Sequence, residues 1–291
     1  MTNTSRLPPQ TDPPLSPRLT LPTMYDLPSE DPEEPGLPDE YHGYQPSLLR
    51  QTFKPANFTP EEIFIGADLN IYYELRHPNW YKRPDWFAVL GVPRLYDGDK
   101  LRLSYVLWQE QASPFVVVEL LSPSTEDEDL GRTVSERGKP PTKWQVYEQI
   151  LRVPYYIVFS GYTNEMQAFR LVAGAYERTE LTDGRLLIPQ LELSLGLWQG
   201  SYENIERTWL RWFTASAELI LTPGEEAQQQ AAVAQQEVVA VQQEVAAAQA
   251  EVAAAQAEVA AAQAEAAAAQ QRAERLAAKL RELNIDPDQL E

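Results

Sequence analysis

The sequence from Phe115 to Thr125 reads FVVVELLSPST. Residues 115–121 have the length and β-branched content of a fully buried central strand, which Pro123 ends. Glu119 is the exception, because an unpaired charge in an apolar run costs several kcal/mol or shifts its pKa until it is neutral. The stretch therefore predicts a central strand and a partner for Glu119. That partner is a metal ion, a basic side chain or a hydrogen-bond network, and a purely structural carboxylate would need one too.

Elements predicted on either side of this strand indicate the fold class. Alternating or continuous apolar runs predict strands, and apolar residues at helical spacing predict helices. Strands are predicted over residues 63–76 with a break near Gly66, 86–92, 102–108, 154–160, a hairpin of 167–172 and 176–181 around Gly174, and 191–197. A turn is predicted over residues 79–84. Helices are predicted over 39–53 with an interruption near Pro46, over 142–152 behind the capping residues Thr142 and Gln145, and over the stripe Ile205, Trp209, Trp212 and Phe213. This order predicts an α/β fold, in which helices flank a mixed sheet.

The two ends of the chain differ in composition from the middle. Ten of the 24 prolines fall between Pro8 and Pro38, which predicts an extended or disordered arm over residues 1–38. We expect one domain over residues 39–222, a helix over residues 225–284 and a short tail over residues 285–291.

From Glu225 onward the chain repeats every seven residues, as in QEVAAAQ and AEVAAAQ. Valine recurs at one position of the repeat, and a small or apolar residue follows three positions later. The members of this seam are Val238, Val245, Val252 and Val259, then Val241, Ala248, Ala255 and Ala262, and finally Leu276, Leu280 and Leu283. Such a seam is typical of a coiled coil. Because alanine favours helix but buries little area, a solitary Ala-rich helix is the alternative.

The charge of the chain is strongly acidic, with a net value of −19. Most of it lies at the ends, since residues 1–50 hold 8 acids and 3 bases and residues 225–291 hold 12 acids and 4 bases. The sequence has no basic stripe of lysine and arginine residues of the kind that binds nucleic acid tightly.

Cysteine and histidine usage narrows the chemistry. The absence of cysteine excludes disulfides and thiolate metal sites. The two histidines, His42 and His77, are predicted on the surface or in loops, which argues against a multi-histidine zinc site. With no signal segment and no apolar run of ~18 residues, we expect a cytoplasmic protein that does not bind membranes.

Three charged residues lie at the edges of elements that should pack together. Asp85 precedes one strand, Glu119 lies in the central strand, and Lys143 is in the first turn of the helix over 142–152, on the same face as Tyr147. Two carboxylates on neighbouring strands can hold Mg²⁺, with the carbonyl of Leu120 as a third oxygen ligand. Both acids also fit structural roles, Asp85 as a turn residue after proline.

A polar segment over residues 124–141 separates Glu119 from this helix. It contains the acidic run Glu126–Asp129 and also Lys139. A loop of this length predicts a functional lid or a disordered insertion.

Three segments carry a resemblance to a known family. RPDWFAV at 83–89, VVVELLSPST at 116–125 and TKWQVYEQILRVPYYIVF at 142–159 resemble the Uma family of restriction-endonuclease-like proteins, which have the PD-(D/E)XK nuclease fold. The resemblance runs in order from about Tyr25 to Phe213. It implies a mixed sheet flanked by helices and Mg²⁺-dependent cleavage of phosphodiester bonds.

The resemblance also implies roles for individual residues. Asp85 and Glu119 become metal ligands, and a lysine becomes the group that activates water. The general nuclease motif has this lysine two residues after the glutamate, where the chain has Leu121. The family compensates with a lysine on the following helix, which falls on Lys143, and Lys139 is the fallback.

Two functions of different classes therefore stand side by side. The first is a metal-dependent endonuclease that acts on nucleic acid, with DNA expected as the substrate. The second is a catalytically inactive nuclease fold that serves as an interaction module and forms homo-oligomers through its C-terminal helix. The acidic charge and the absence of the strand lysine favour the second. Glycoside hydrolysis by paired carboxylates has no independent support from a sugar-binding pattern.

Overall fold

The computed structural model describes residues 39–122, 125–136 and 138–283. The arm predicted over 1–38 and the tail predicted over 285–291 lie outside these residues. The chain divides into two compact units between Pro223 and Gly224. The elements are α1 (Tyr41–Thr52), β1 (Ile63–Gly66), β2 (Ile71–Tyr72), β3 (Tyr81–Lys82), β4 (Trp86–Leu90), β5 (Tyr105–Val106), α2 (Leu107–Glu110), β6 (Val116–Leu120), α3 (Glu126–Asp129), α4 (Lys143–Gln145), β7 (Tyr155–Ser160), β8 (Glu165–Val172), β9 (Ala175–Arg178), β10 (Arg185–Ile188), β11 (Leu193–Tyr202), β12 (Ile205–Thr214) and α5 (Pro223–Glu282).

A six-stranded sheet of order β1-β4-β6-β7-β8-β9 forms the centre of the first unit. Strands β6 and β7 are parallel, and every other neighbouring pair in this sheet is antiparallel. The central strand β6 is buried along its whole length, as the sequence predicts. The result is the mixed α/β, restriction-endonuclease-like architecture expected from the sequence.

The two faces of this sheet pack against different partners. On one face, Val116, Val118 and Leu120 join a core with α1 and with the three-stranded sheet β10-β11-β12. On the other face, Val117 packs with Tyr147 and other residues that follow α4. Because side chains alternate along a strand, Glu119 points to the same face as Val117. The helix that begins at Lys143 covers this face.

Several local predictions are confirmed. Thr142 and Gln145 form the predicted capping box, and α4 continues into a single π-helical turn over Val146–Ile150. The strand at β7 and the hairpin of β8 and β9 occur where the sequence predicts them. The break near Gly66 separates β1 from β2.

The helix predicted from Ile205 to Phe213 is wrong, because these residues form strand β12. Glu203 and Asn204 both have positive φ, and the residues on either side of them pair as Tyr202 with Ile205. A two-residue turn with two left-handed residues closes a β-hairpin, so β12 pairs with β11 over its full length. The aromatic and β-branched residues of this segment favour a strand as well.

Three further predictions need correction. Helix α1 runs through Pro46 without interruption, and Leu48 and Leu49 are fully buried in the core, where tertiary packing offsets the missing backbone hydrogen bond. The strand predicted over 102–108 is limited to β5, after which the chain turns into α2. The turn predicted over 79–84 contains the two-residue strand β3.

The second unit consists of helix α5, which has 60 residues. Its seam valines, among them Val245 and Val252, are about half exposed in the single chain. The predicted long helix is therefore present, whereas the predicted coiled coil stays a prediction. Within the parts of the chain that the structure describes, no helix combines the length and apolar character needed to cross a membrane.

Candidate functional site

Glu119 is fully buried, and its two carboxylate oxygens have different partners from one turn of helix. Tyr147 donates its hydroxyl hydrogen to Oε1 over 2.7 Å, and Lys143 donates from Nζ to Oε2 over 3.1 Å. Residues four apart on a helix lie on one face, so both side chains reach Glu119 together. The partner required by the charge in β6 is a lysine with a tyrosine beside it.

Asp129 is a member of this site that the sequence interpretation missed. It ends α3, is fully buried, and its Oδ1 lies 2.9 Å from Nζ of Lys143. The other carboxylate oxygen, Oδ2, is buried and has no hydrogen-bond partner among the described residues. One ammonium thus bridges Asp129 and Glu119, and Oδ2 of Asp129 stays available to a further partner.

Asp85 joins the group from the start of β4. Its Oδ2 accepts a hydrogen bond from the backbone N–H of Leu120 over 2.6 Å, which fixes its carboxylate beside the end of β6. Asp85 keeps a partial exposure to solvent, unlike the fully buried Glu119 and Asp129. The antiparallel register pairs Trp86 with Val118, which places Asp85 opposite Glu119. Residues opposite each other point to the same face of the sheet.

The electrostatics of the group reflect its burial. Burial raises the pKa of Glu119 well above its usual value; the charge of Lys143 opposes this, and the neighbouring carboxylates add to it. Burial likewise raises the pKa of Asp85, against the charges of Lys143 and His42. For Lys143, burial acts to lower the pKa, but the surrounding carboxylates, Glu119 foremost, outweigh it and raise the pKa. The amine therefore stays charged at neutral pH.

The segment predicted over 124–141 as a lid or a disordered insertion is tied to the site through Glu128 and Gly131. Glu128 Oε1 accepts hydrogen bonds of 2.8 Å from Lys82 Nζ and from the backbone N–H of Lys143. Gly131 has φ of +68°, and a Cβ at this position would lie 2.6 Å from the ring of Trp144. The left-handed glycine lets the chain turn back closely enough for α3 and α4 to present Asp129 and Lys143 together.

His42 belongs to the same neighbourhood, and its predicted surface or loop position is wrong. It lies in α1 and is 4% exposed. Nδ1 is 2.7 Å from Asp39 Oδ1, and Nε2 is 3.3 Å from the carbonyl oxygen of Leu120. Because both ring nitrogens face acceptors, this arrangement favours the protonated form of His42. Burial acts to lower the pKa of His42, but the hydrogen bond and charge of Asp39 raise it. His77 is exposed, as predicted.

A divalent metal ion needs several oxygen ligands directed at one point. Within residues 39–122, 125–136 and 138–283, no three acidic or histidine side chains form a ready-made metal cage. Lys143 Nζ takes up the space between Glu119 and Asp129 instead. Carboxylates are preferred ligands of Mg²⁺, and the carboxylate of Asp85 together with the buried Oδ2 of Asp129, which has no hydrogen bond, offers oxygens that suit a hard cation. Leu120, whose carbonyl accepts one hydrogen bond from His42, keeps its second lone pair.

Most of the site residues predicted from the sequence come together in the structure. Asp85, Glu119, Lys143 and the backbone of Leu120 come together. Lys139, the fallback lysine, is exposed, and the structure pairs Lys143 rather than Lys139 with Glu119. Asp129 had only a weak sequence signal, because it is the last of four consecutive acids that resemble a solvated surface run.

Comparison with known proteins gives one family match. The sequence profile of Uma2, described as "Putative restriction endonuclease", matches residues 19–206. A comparison with curated proteins gives no match.

Proposed function

Because the chain belongs to the Uma2 family of restriction-endonuclease-like proteins, we propose that it is a Mg²⁺-dependent endonuclease that hydrolyses phosphodiester bonds in DNA. The observation that carries this proposal is the group formed by Asp85, Glu119, Asp129 and Lys143, in which the ammonium lies 3.1 Å from Glu119 and 2.9 Å from Asp129 and the N–H of Leu120 holds Asp85 at the end of β6. When all four are ionised, three carboxylates against one ammonium leave a formal charge of −2. His42 and Asp39 neutralise each other, so one divalent cation balances the group.

In this proposal each residue has a distinct task. Asp85, Glu119, Asp129 and the carbonyl of Leu120 would hold Mg²⁺. A bound Mg²⁺ supplies Lewis acidity toward the phosphate and lowers the pKa of bound water. Lys143 remains protonated, since the pKa of its amine is raised, and it donates to charge that develops on the phosphate rather than acting as a base.

Two further side chains hold the ligands in place. Tyr147 fixes the orientation of Glu119 through its hydroxyl group, and His42 orients the carbonyl of Leu120. Such supporting hydrogen bonds keep the first ligands of a metal in their productive positions.

A plasmid assay tests this function directly. Supercoiled DNA incubated with the full chain and Mg²⁺ is expected to become nicked or linear, and an excess of chelator is expected to stop the reaction. A single-stranded RNA of similar length serves as the alternative substrate. Absence of cleavage of either polymer with Mg²⁺ or Mn²⁺ would contradict the proposal.

The metal dependence of stability should vary with pH. The folded-state pKa values of Glu119 and Asp85 are raised, so the metal-free protein loses stability as pH rises from the unfolded-state values through the folded-state ones. Mg²⁺ competes with these protons, and we expect it to raise the Tm more at about pH 8 than at about pH 5. Thermal unfolding with and without Mg²⁺ at both pH values measures this. An equal increase at both would count against metal binding by these acids.

The second candidate function is assembly through α5. Its seam valines expose about half of their surface in the single chain. If the seam joins copies of the chain, the protein should sediment above its monomer mass of 33.0 kDa. We expect replacement of Val245 and Val252 by glutamate to return it to that mass, since the charges would enter the seam. Matched glutamates at Ala250 and Ala257, on the opposite face, should leave the mass unchanged. A wild-type chain that sediments as a monomer would exclude self-assembly.

A further inference from the structure

A cleft away from the acidic group has the character of a binding site. Its volume is about 530 Å³, and it lies beside the end of α1 and strand β1. Its apolar walls include Phe53, Phe58, Ile63 and Ile65. Ile63 pairs with Leu90, which is roughly 16 Å along β4 from Asp85 at ~3.3 Å per residue. The cleft therefore lies toward the opposite end of β4 from the proposed catalytic group.

The charged residues that line this cleft are all basic. They are Arg50, Lys54 and Arg94, and no aspartate or glutamate is among the lining residues. This composition stands out in a chain with a net charge of −19. Lys54 donates from Nζ to the carbonyl oxygen of Leu221 over 3.0 Å. In the part of the chain that the structure describes, neither Arg50 nor Arg94 has a carboxylate within ion-pair distance.

The two arginines also influence each other. Partial burial lowers the pKa of Arg50, and the positive charge of Arg94 lowers it further. This repulsion between the two guanidinium groups persists in the free protein. An anion between them would relieve this repulsion and accept hydrogen bonds from both planar groups.

We propose that this cleft, the Arg50–Arg94 cleft, binds small organic anions. The apolar body of the ligand fills the space between the phenylalanine and isoleucine side chains, and its phosphate, sulfonate or carboxylate group is held by Arg50 and Arg94. The volume lies within the range of ~300–1,000 Å³ that is usual for small-molecule sites, and such sites combine apolar walls with a few placed polar groups. This site is independent of the proposed nuclease function.

The dye 8-anilinonaphthalene-1-sulfonate matches this class and serves as the probe. We expect saturable binding to the full chain with enhanced fluorescence. The double variant Arg50→Ala/Arg94→Ala should bind it about tenfold more weakly or worse, the scale of one lost charge-assisted contact. The matched control Arg170→Ala/Arg178→Ala removes two exposed arginines from β8 and β9 and should keep the wild-type affinity. Equal affinities of the two double variants would overturn the proposal.

An uncharged dye separates the two parts of the proposed site. N-phenyl-1-naphthylamine has the same rings without the sulfonate, and its affinity should be unaffected by Arg50→Ala/Arg94→Ala. In the variant Ile65→Trp the larger side chain fills the cleft and should lower the affinity for both dyes. The Tm of this variant shows whether it is folded. If Ile65→Trp keeps its fold and binds both dyes as the wild type does, the site lies elsewhere and the proposal fails.

Competition distinguishes the natural sources of such an anion. Deoxyadenosine 5′-monophosphate represents nucleotides, and octanoate represents fatty acids. Displacement of the sulfonated dye by either compound at millimolar concentration supports the proposal and identifies the source. Displacement by neither would show that the cleft selects no such anion.

Discussion

Replacing Glu119 by glutamine is expected to lower the rate of Mg²⁺-dependent plasmid nicking by roughly 10²–10³-fold, the scale of losing one electrostatic contact to a transition state. The glutamine amide has the same size as the carboxylate, and its oxygen can still accept the hydrogen bond from the Tyr147 hydroxyl group. It loses the negative charge that pairs with Lys143 and that would bind the cation. Asp85→Asn is expected to have an effect of the same order.

The control for this prediction is Glu165→Gln, which makes the same chemical change at an exposed position of β8. Its nicking rate should equal that of the wild type. Far-ultraviolet circular dichroism and the Tm verify that each variant is folded. Wild-type nicking by a folded Glu119→Gln protein would remove Glu119 from the catalytic group and leave the nuclease proposal without its central residue.

Replacing Lys143 by methionine is expected to destabilise the fold by about 3–5 kcal/mol near neutral pH, because it leaves Glu119 and Asp129 buried without a counter-charge. The loss should be smaller at acidic pH, where Glu119 is protonated, since burial raises its pKa. Added Mg²⁺ should restore part of it, since a cation can take the place of the ammonium. Urea denaturation with and without Mg²⁺ measures all three effects.

A matched lysine gives the reference for this stability change. Lys100 forms an ion pair with Asp97 in which both side chains are more than half exposed. Lys100→Met should therefore cost less than about 1 kcal/mol. If Lys143→Met is as stable as Lys100→Met at neutral pH, the lysine does not neutralise the buried acids as the structure indicates.

Sequence reasoning located the site where a residue conflicted with its surroundings. Glu119 interrupts an apolar strand, and the prediction that it needs a partner is confirmed, since Lys143 and Tyr147 from one helical face both pair with it. Asp129 shows no such conflict, because it follows three other acidic residues and so resembles part of a solvated acidic run. Its burial becomes visible only in the structure, where the chain turns back at Gly131 and places Asp129 in the interior.

The errors in the fold have local causes that tertiary contacts decide. The spacing of Trp209, Trp212 and Phe213 suits a helix, yet the left-handed turn at Glu203 and Asn204 pairs the segment with β11. His42 is a polar residue in a helix near the N-terminal end of the domain, which suggests an exposed position. Its burial depends on two acceptors, Asp39 and the carbonyl of Leu120, the second of which is 78 positions away.

The position of Lys143 also affects how relatives of this chain can be found. Its amine approaches the central strand from a helix 24 residues further along, and the residue just after the strand, Leu121, is apolar. A text search for an acid followed two places later by lysine would therefore pass over this protein. A three-dimensional template that requires only a cationic nitrogen about 3 Å from the strand glutamate would retrieve it, whichever segment supplies the nitrogen.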